Sequence, residues 1–208
     1  TSKALHKQER ELCKNGNYTF AGGGGARSFL ETLRKKIFKG QVPQSLTGTT
    51  LEQCEALRAA WYRTWQEGRP YHDYVAQQVE AGALIASPRT DRVRPPRGFC
   101  ATANAAFQGL AADGATEGVW DVVSECLDGV GPLAGCHMVA FVHDEILLEA
   151  PEETATFAAL RLEELMVAAM QRWTPDVPIK VDVTVMRRWS KGATSPWREG
   201  RIVPWERA

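Results

Sequence analysis

Apolar residues recur every three to four positions through the first part of the chain, which is the spacing of an amphipathic helix. Residues 26–38 have this spacing, residues 5–21 are predicted to form a helix with one basic side, and four consecutive glycines at 22–25 separate the two segments. Because glycine disfavours helix, the glycine run predicts a break between two helices. Four apolar residues form the predicted buried face of the second helix: Phe29, Leu30, Leu33 and Ile37.

A third and a fourth helix are predicted after a loop. Thr50 and Gln53 have the identities and spacing of a capping box, which marks a helix start. Gly68 and Pro70 are expected to end the third helix, and the fourth is predicted over residues 71–81. Three residues at four-residue steps form the predicted core face of the third helix: Leu57, Trp61 and Trp65.

The middle of the chain combines a proline-rich segment, which disfavours helix, with one long predicted helix. Residues 86–98 are rich in proline and arginine and predict a loop or an irregular hairpin. A helix is predicted over residues 101–128, although Gly109 and Gly114 lie inside it. Glycine weakens a helix, so these two positions indicate the close approach of another element. Four residues repeat at helical spacing near its end: Val119, Val122, Val123 and Cys126.

Strand-like runs distinguish the last part of the chain. Residues 137–142 and 146–148 are short apolar runs that predict a hairpin with residues 143–145 at its bend. A helix is predicted over residues 152–172, and the alternating segment 179–186 predicts a final strand. The buried stripe of that helix is predicted to contain Leu162, Leu165, Met166, Ala169 and Trp173. The pattern as a whole predicts an α+β fold, with helices backing a partial antiparallel sheet.

The charge of the chain is balanced overall but unevenly distributed. The 208 residues carry 25 basic and 25 acidic side chains, so the formal net charge is zero. Residues 1–40 contain nine Lys or Arg against three acids, whereas residues 143–165 contain seven acids and one Arg. One region could therefore attract phosphate groups and the other cations, although solvated charged faces would give the same pattern.

The composition also bears on the cellular compartment. No apolar run approaches the roughly 20 residues that span a bilayer, which predicts no contact with a membrane. The five cysteines have neither a CxxC pair nor the spacing of a zinc site. Scattered cysteines in odd number are typical of reduced thiols, so the expected location is the cytoplasm.

Two helix faces have side chains suited to nucleotides and nucleic acid. Arg10, Lys14 and Tyr18 follow each other at four-residue steps, so two cations and an aromatic ring share one face. Such a face could bind a triphosphate and stack on a base or sugar. Asn104 and Gln108 also share a face, and their amides could donate to minor-groove acceptors. An exposed basic face and a polar packing face remain open as alternatives.

Adjacent carboxylates occur at the predicted hairpin bend. Asp144 and Glu145 follow one apolar strand and precede another. Mg²⁺ needs one or two protein carboxylates and takes its other oxygens from water and phosphate. An ordinary solvated turn would have the same sequence, so these residues alone leave both interpretations open.

Three segments, in this order, resemble the motifs of family A DNA polymerases. Residues 10–23, RELCKNGNYTFAGG, resemble motif B of the fingers helix. Residues 103–113, ANAAFQGLAAD, resemble the family's NxxxQGxAAD helix. Residues 141–151, FVHDEILLEAP, resemble motif C of the palm hairpin. The resemblance extends from about residue 5 to Lys191 and implies a DNA-directed DNA polymerase.

The resemblance implies nucleotide-binding and DNA-binding roles for the two helix faces. Arg10 and Lys14 would hold the incoming deoxynucleoside triphosphate, and Lys14 would donate a proton to the leaving pyrophosphate. Tyr18 would stack on the incoming nucleotide. Asn104 and Gln108 would contact the minor groove of the primer-template DNA.

For the hairpin, the resemblance implies a metal site. Asp144 would bind the catalytic metals, two Mg²⁺ ions, with Glu145 beside it as an outer or occasional ligand. His143 would contact the primer end. The reaction would be attack of the primer 3′-hydroxyl on the α-phosphate, assisted by the two metals.

Some features of the family pattern differ here. Motif A, which supplies the other metal-binding Asp, has no counterpart before Arg10, so the chain alone is expected to be inactive and to need an N-terminal polymerase chain. Cys100 replaces an Arg that many members carry, and Gly22-Gly23 is closer to phage-type relatives than to bacterial ones. A split-polymerase subunit, a fragment, a non-catalytic DNA-binding or assembly subunit, and an unrelated helical domain are the interpretations left open.

The resemblance also implies a division of the chain. Residues 1–97 would form a fingers-like helical part that contains motif B. Residues 98–189 would form a palm part with the Asn/Gln helix and the motif C hairpin. Residues 190–208, which have no clear periodicity, predict a loosely packed C-terminal tail, although Trp197 and Trp205 could contact a partner.

Overall fold

The computed structural model describes residues 7–87 and 89–206. The chain divides into two compact units, and the division lies between Gly109 and Leu110. In both units helices dominate, and the strands form small antiparallel two-stranded sheets. The fold is therefore α+β, as the sequence predicts.

Within residues 7–87 and 89–109, the first unit contains four helices, a short 3₁₀ turn, a short hairpin and the beginning of a fifth helix. Its elements are α1 (Lys7–Ala21), α2 (Ala26–Phe38), a 3₁₀ turn (Gln44–Gly48), α3 (Leu51–Thr64), α4 (Gly68–Ala81), β1 (Ile85–Ala86), β2 (Val93–Arg94) and the first part of α5 (Phe99–Asp128). The predicted positions of α1 and α2 are confirmed where the structure describes them. The glycine run at 22–25 separates the two helices.

The core of the first unit forms around α2. All four residues of its predicted stripe are buried: Phe29, Leu30, Leu33 and Ile37. Phe29 contacts the ring of Phe20 from α1, with ring centroids 5.1 Å apart, and Cys54 from α3 completes the same cluster. The capping box at the start of α3 is also confirmed, because Thr50 and Gln53 exchange both of its hydrogen bonds.

Two details of the predicted helices in this unit are wrong. Trp65 is 52% exposed, because α3 ends at Thr64 and Trp65 lies beyond the helical face that packs into the core. Gly68 and Pro70 belong to the first turn of α4, which begins at Gly68 and not at residue 71. Proline is tolerated there, because the first-turn amides of a helix lack intrahelical partners.

The second unit packs one hairpin against two helices. Its elements are the remainder of α5, β3 (His137–Val142), β4 (Glu145–Glu149), α6 (Ala155–Trp173), β5 (Trp197–Arg198) and β6 (Arg201–Ile202). One cluster of buried residues joins α5, the following loop, β4 and α6, and consists of Val122, Leu133, Cys136, Ile146 and Ala158. The predicted stripe of α6 is confirmed as buried or half-buried.

The prediction that other elements approach the glycines of α5 is confirmed. A Cβ added to Gly114 would lie 2.7 Å from Sδ of Met170 on α6. A Cβ added to Gly109 would lie 3.1 Å from a guanidinium nitrogen of Arg94 on β2. Glycine therefore lets α6 at Gly114, and the Arg94 guanidinium at Gly109, approach the backbone of α5 closely.

The predicted strand at 179–186 is wrong. This segment has no strand in the structure, and Met186 forms only an isolated bridge with Trp205 of the tail. The Val185 amide donates to the Ser195 hydroxyl at 3.0 Å, and the Val185 carbonyl accepts from that hydroxyl at 2.6 Å and from the Trp205 amide at 2.8 Å. Alternation identifies the two faces of an extended segment, but a strand also needs a neighbouring edge to pair with.

The C-terminal tail is more ordered than its aperiodic sequence predicts. β5 and β6 pair as a small antiparallel hairpin, and Ile202 is buried. The Ile202 amide donates to the Thr156 hydroxyl on α6 at 3.2 Å, which attaches the hairpin to the second unit. Trp197 stays exposed at 55%.

Candidate functional site

The basic face of α1 lines an open groove of about 530 Å³. The groove is lined by Arg10, Cys13, Lys14, Asn17 and Tyr18, all on one side of the helix. The Arg10 side chain is 59% exposed and Tyr18 is 62% exposed. The structure thus brings the three predicted residues of this helix together, with two cations and one aromatic ring on an accessible surface.

The opposite face of α1 is held by buried polar contacts. Asn15 is buried, and its side-chain amide donates to the Glu11 carbonyl at 2.7 Å. The Lys36 ammonium on α2 donates to the Asn15 carbonyl oxygen. A buried polar group needs such partners, so these bonds stabilise α1 with its basic face turned outward.

The amide face of α5 lies beside the end of α1. A Cβ on Gly22 would lie only 2.6 Å from Oδ1 of Asn104, so the absence of a side chain there permits the contact. The Asn104 side chain also donates to the Cys100 carbonyl at 3.0 Å. Gln108, one turn further, is exposed. Both amides are thus in the first unit, together with the basic groove.

The candidate acidic site is a two-residue turn in the second unit. β3 and β4 pair from His137↔Glu149 to Val142↔Glu145, which leaves His143 and Asp144 in the turn. The prediction that Glu145 belongs to the bend is therefore wrong, because it is the first residue of β4. His143 has a left-handed φ of 61°, as the twist of a tight hairpin requires at this position.

The carboxylates of this turn differ in their surroundings. Asp144 is exposed, and Glu145 is half-buried and accepts a hydrogen bond from the Trp189 indole at 3.2 Å. Two adjacent oxygen ligands fit Mg²⁺, which binds through one or two carboxylates and keeps water and phosphate as further ligands. Among the described residues, no group of three or more His, Cys, Asp or Glu side chains forms a closed metal cage.

Burial raises the pKa of three cysteines of the two cores and of one tyrosine. Desolvation raises the pKa of the Cys54, Cys126 and Cys136 thiols, which makes them poor nucleophiles at neutral pH. Burial also raises the pKa of Tyr71 to about 12, and its hydroxyl donates to the Ala103 carbonyl at the start of α5. These groups serve packing and hydrogen bonding.

Several residues of these surfaces were missed by reasoning from sequence. Cys13 and Asn17 line the basic groove, and their i, i+4 spacing next to Arg10 and Lys14 could have revealed them. Arg94 approaches Gly109, and Trp189 donates a hydrogen bond to Glu145. Both contacts join distant parts of the chain. No periodic signal in the sequence marks such contacts.

The comparisons with known proteins agree on one family. The family model described as DNA polymerase family A matches residues 1–191. DNA polymerase I of Aquifex aeolicus (strain VF5) is 26% identical over 190 residues, which cover 90% of this chain and 31% of that protein. The thermostable DNA polymerase I of Thermus filiformis is 42% identical over 55 residues, 26% of this chain and 6% of that protein. The chain thus spans about a third of the Aquifex protein.

Membrane-spanning helices need both length and an apolar surface. None of the helices within residues 7–87 and 89–206 is long and apolar enough to cross a membrane.

Proposed function

Because this chain belongs to DNA polymerase family A, we propose that it forms the nucleotide-binding and DNA-binding part of a DNA-directed DNA polymerase. The observation that carries this proposal is the exposed groove lined by Arg10, Lys14 and Tyr18. We assign residues 1–97 to a fingers-like part, 98–189 to a palm part and 190–208 to a tail. A cytoplasmic location accords with this function.

The groove on α1 suits a deoxynucleoside triphosphate. Arg10 and Lys14 lie one turn apart, about 6 Å along the helix axis, so their charged side chains can neutralise neighbouring phosphates. Tyr18, one turn further, presents a ring for stacking on the sugar and base. Phosphoryl transfer depends mostly on positioning and charge stabilisation, and these three side chains supply both. Lys14 can also protonate the departing pyrophosphate.

The amide face of α5 suits duplex DNA of any sequence. All base pairs present acceptors in the minor groove, so amide donors there can test pairing geometry without reading sequence. We assign this role to Asn104 and Gln108. His143, exposed at the hairpin turn, is assigned to the primer end.

The acidic turn suits Mg²⁺ on the palm side. Asp144 would hold the metal directly, and Glu145, whose carboxylate Trp189 already engages, would be the outer or occasional ligand. Bound Mg²⁺ would lower the pKa of the attacking hydroxyl and stabilise charge on the phosphate. The exposed turn leaves space for water and phosphate oxygens beside these carboxylates.

A two-metal site requires a further carboxylate, which we assign to polypeptide outside these 208 residues, in the same chain or in a partner chain. The outer face of β3 accords with this assignment. Val139 and Phe141 on this strand are 58% and 39% exposed. In the described part of the chain β3 pairs only with β4, and a strand edge without a neighbour can accept another strand.

Primer extension with Mg²⁺ tests the proposed function. We expect no extension by the 208-residue polypeptide alone and template-directed extension after addition of an N-terminal polymerase chain from the same source. Extension by the polypeptide alone would refute the need for an outside carboxylate. DNA binding without extension in any mixture would instead identify a non-catalytic DNA-binding subunit.

Tyr18 leads to a separate prediction about how the enzyme recognises the sugar of the incoming nucleotide. Its hydroxyl, on a 62% exposed side chain, can occupy the space of a missing nucleotide 3′-hydroxyl. The assembled enzyme is therefore expected to incorporate dideoxynucleotides readily, and Tyr18→Phe to disfavour them by about ten-fold or more. The measurement is kcat/KM for dNTP and ddNTP with both enzymes. Strong rejection of ddNTP that is unchanged in Tyr18→Phe would contradict this role.

A further inference from the structure

His72 on α4 is a buried imidazole inside a cage of aromatic rings. It is only 7% exposed, and its ring stacks on Trp61 with centroids 6.1 Å apart and an interplanar angle of 15°. The rings of Tyr62, Tyr71 and Phe99 surround its other sides. A polar ring in such a place needs hydrogen bonds for both of its nitrogens.

The partners of His72 fix the direction of those hydrogen bonds. Nε2 lies 3.0 Å from the Ala21 carbonyl, which can only accept, so Nε2 carries the hydrogen. In the neutral ring with its hydrogen on Nε2, Nδ1 accepts from the Tyr62 hydroxyl at 2.9 Å. The Tyr62 oxygen in turn accepts from the Arg58 guanidinium at 3.2 Å. The result is a relay of donors from Arg58 through Tyr62 and His72 to the end of α1.

Ala21 is the last residue of α1, and the final four carbonyls of any helix lack helical partners. Three of them, from residues 18–20, accept from backbone amides of Gly22, Gly24 and Gly23 at 3.3, 2.8 and 3.0 Å. The fourth carbonyl, that of Ala21, accepts from His72. The imidazole therefore completes the C-terminal end of α1 across 51 positions of sequence.

The chain that follows α1 has no side chain of its own with which to fix the helix end. Residues 22–25 are all glycine, and Gly23 has a φ of 78°. A Cβ on Gly23 would lie 2.3 Å from the Phe99 ring, so this turn passes directly over the aromatic cage. His72 thus supplies the side-chain hydrogen bond to the helix end at the point where the following turn supplies none.

The position of the C-terminal end of α1 affects where the charged residues of the groove lie. At a rise of 1.5 Å per residue, Lys14 lies about 10 Å and Arg10 about 16 Å along the axis from Ala21. A tilt of about 10° at the helix end would move a group about 16 Å away by about 3 Å, which is the length of a hydrogen bond. Small changes at Ala21 are therefore amplified at the groove.

We propose that His72 is a positioning residue for nucleotide binding, which holds the C-terminal end of α1 through the Ala21 carbonyl and so places Arg10 and Lys14. This inference rests on the proposed function of the groove. His72 contacts no substrate in this role and acts only through α1.

Three substitutions separate the hydrogen bonds from the packing. The amide nitrogen of glutamine can occupy the position of Nε2, so His72→Gln keeps the donor to Ala21. The amide oxygen of asparagine can occupy the position of Nδ1, so His72→Asn keeps the acceptor for Tyr62 and loses the donor to Ala21. His72→Phe keeps the ring packing and loses both bonds.

The experiment measures steady-state primer extension and amide hydrogen exchange in the complete polymerase that contains this chain. We expect KM for dNTP to rise about five-fold in His72→Asn and His72→Phe and to stay within about two-fold in His72→Gln, as one lost hydrogen bond predicts. The amides of residues 22–24 should exchange faster in the same two variants.

The outcomes distinguish this inference from a packing role and from the proposed function. Packing explains the effect, and the inference is wrong, if KM for dNTP rises as much in His72→Gln as in His72→Phe. The same conclusion holds if KM rises in proportion to the loss of thermal stability across the three variants. Faster exchange with unchanged KM also overturns it. If the unmodified enzyme extends no primer, the proposed function fails, and unchanged exchange in His72→Asn would separately refute the link to Ala21.

Discussion

Replacing Asp144 by alanine is expected to reduce primer extension by at least about a thousand-fold, which corresponds to roughly 4 kcal/mol of transition-state stabilisation. The physical reason is the removal of the carboxylate that lies in the turn between β3 and β4, where a Mg²⁺ ion would be held. The measurement is single-turnover extension of a labelled primer at saturating dNTP.

Two further variants accompany Asp144→Ala. One removes the charge of Asp144 but keeps its shape, and the other removes a carboxylate elsewhere in the chain. Asp144→Asn has nearly the same shape and should be almost as inactive, whereas Asp128→Asn, at the exposed end of α5, should leave the rate unchanged. Because Asp144 is exposed in a turn, neither of its variants should lower the melting temperature by more than a few degrees. Substantial extension by Asp144→Ala would exclude this residue as the metal ligand.

Lys14→Ala is expected to lower kcat/KM for dNTP by about two to three orders of magnitude, because it removes both the proposed phosphate-binding cation and the proposed proton donor. Lys14 is exposed on the groove face of α1, so the loss should appear in nucleotide use and not in folding. The measurement is kcat and KM for dNTP, with Lys35→Ala, another exposed lysine of the first unit, as the matched control.

Lys14→Arg separates the two roles of this lysine. Arginine keeps the positive charge but does not release a proton at neutral pH. In Lys14→Arg we therefore expect KM for dNTP to return close to that of the unmodified enzyme, while kcat stays as low as in Lys14→Ala. Recovery of both constants in Lys14→Arg would show that charge alone is needed, and unchanged kinetics in Lys14→Ala would remove Lys14 from the site.

Local signals in the sequence predicted the helices well, because their causes lie within a few residues. The Thr50–Gln53 capping box depends on two side chains three positions apart and is present as predicted. The stripe of α2 is buried because one hydrophobic face of a helix must pack against something. Gly114 signalled a close neighbour, although α6 could be identified as that neighbour only in the structure.

Predictions that needed a partner failed or stayed incomplete. The segment 179–186 has the alternation of a strand, but alternation does not supply a pairing edge, and its Val185 bonds to Ser195 instead. Trp65 continues the spacing of Leu57 and Trp61, yet the helix ends before it and leaves it exposed. In both cases the local pattern is present, and the tertiary surroundings decided the outcome.

The α+β class, the basic face of α1, the amide face of α5 and the acidic hairpin could all be predicted from the sequence, because helical and strand periodicity place nearby residues on common faces. Which distant groups meet depends on how the elements pack in three dimensions. His72 reaches Ala21 across 51 residues, and Trp189 reaches Glu145 across 44. Such contacts follow from packing of whole elements, and no spacing along the chain encodes them.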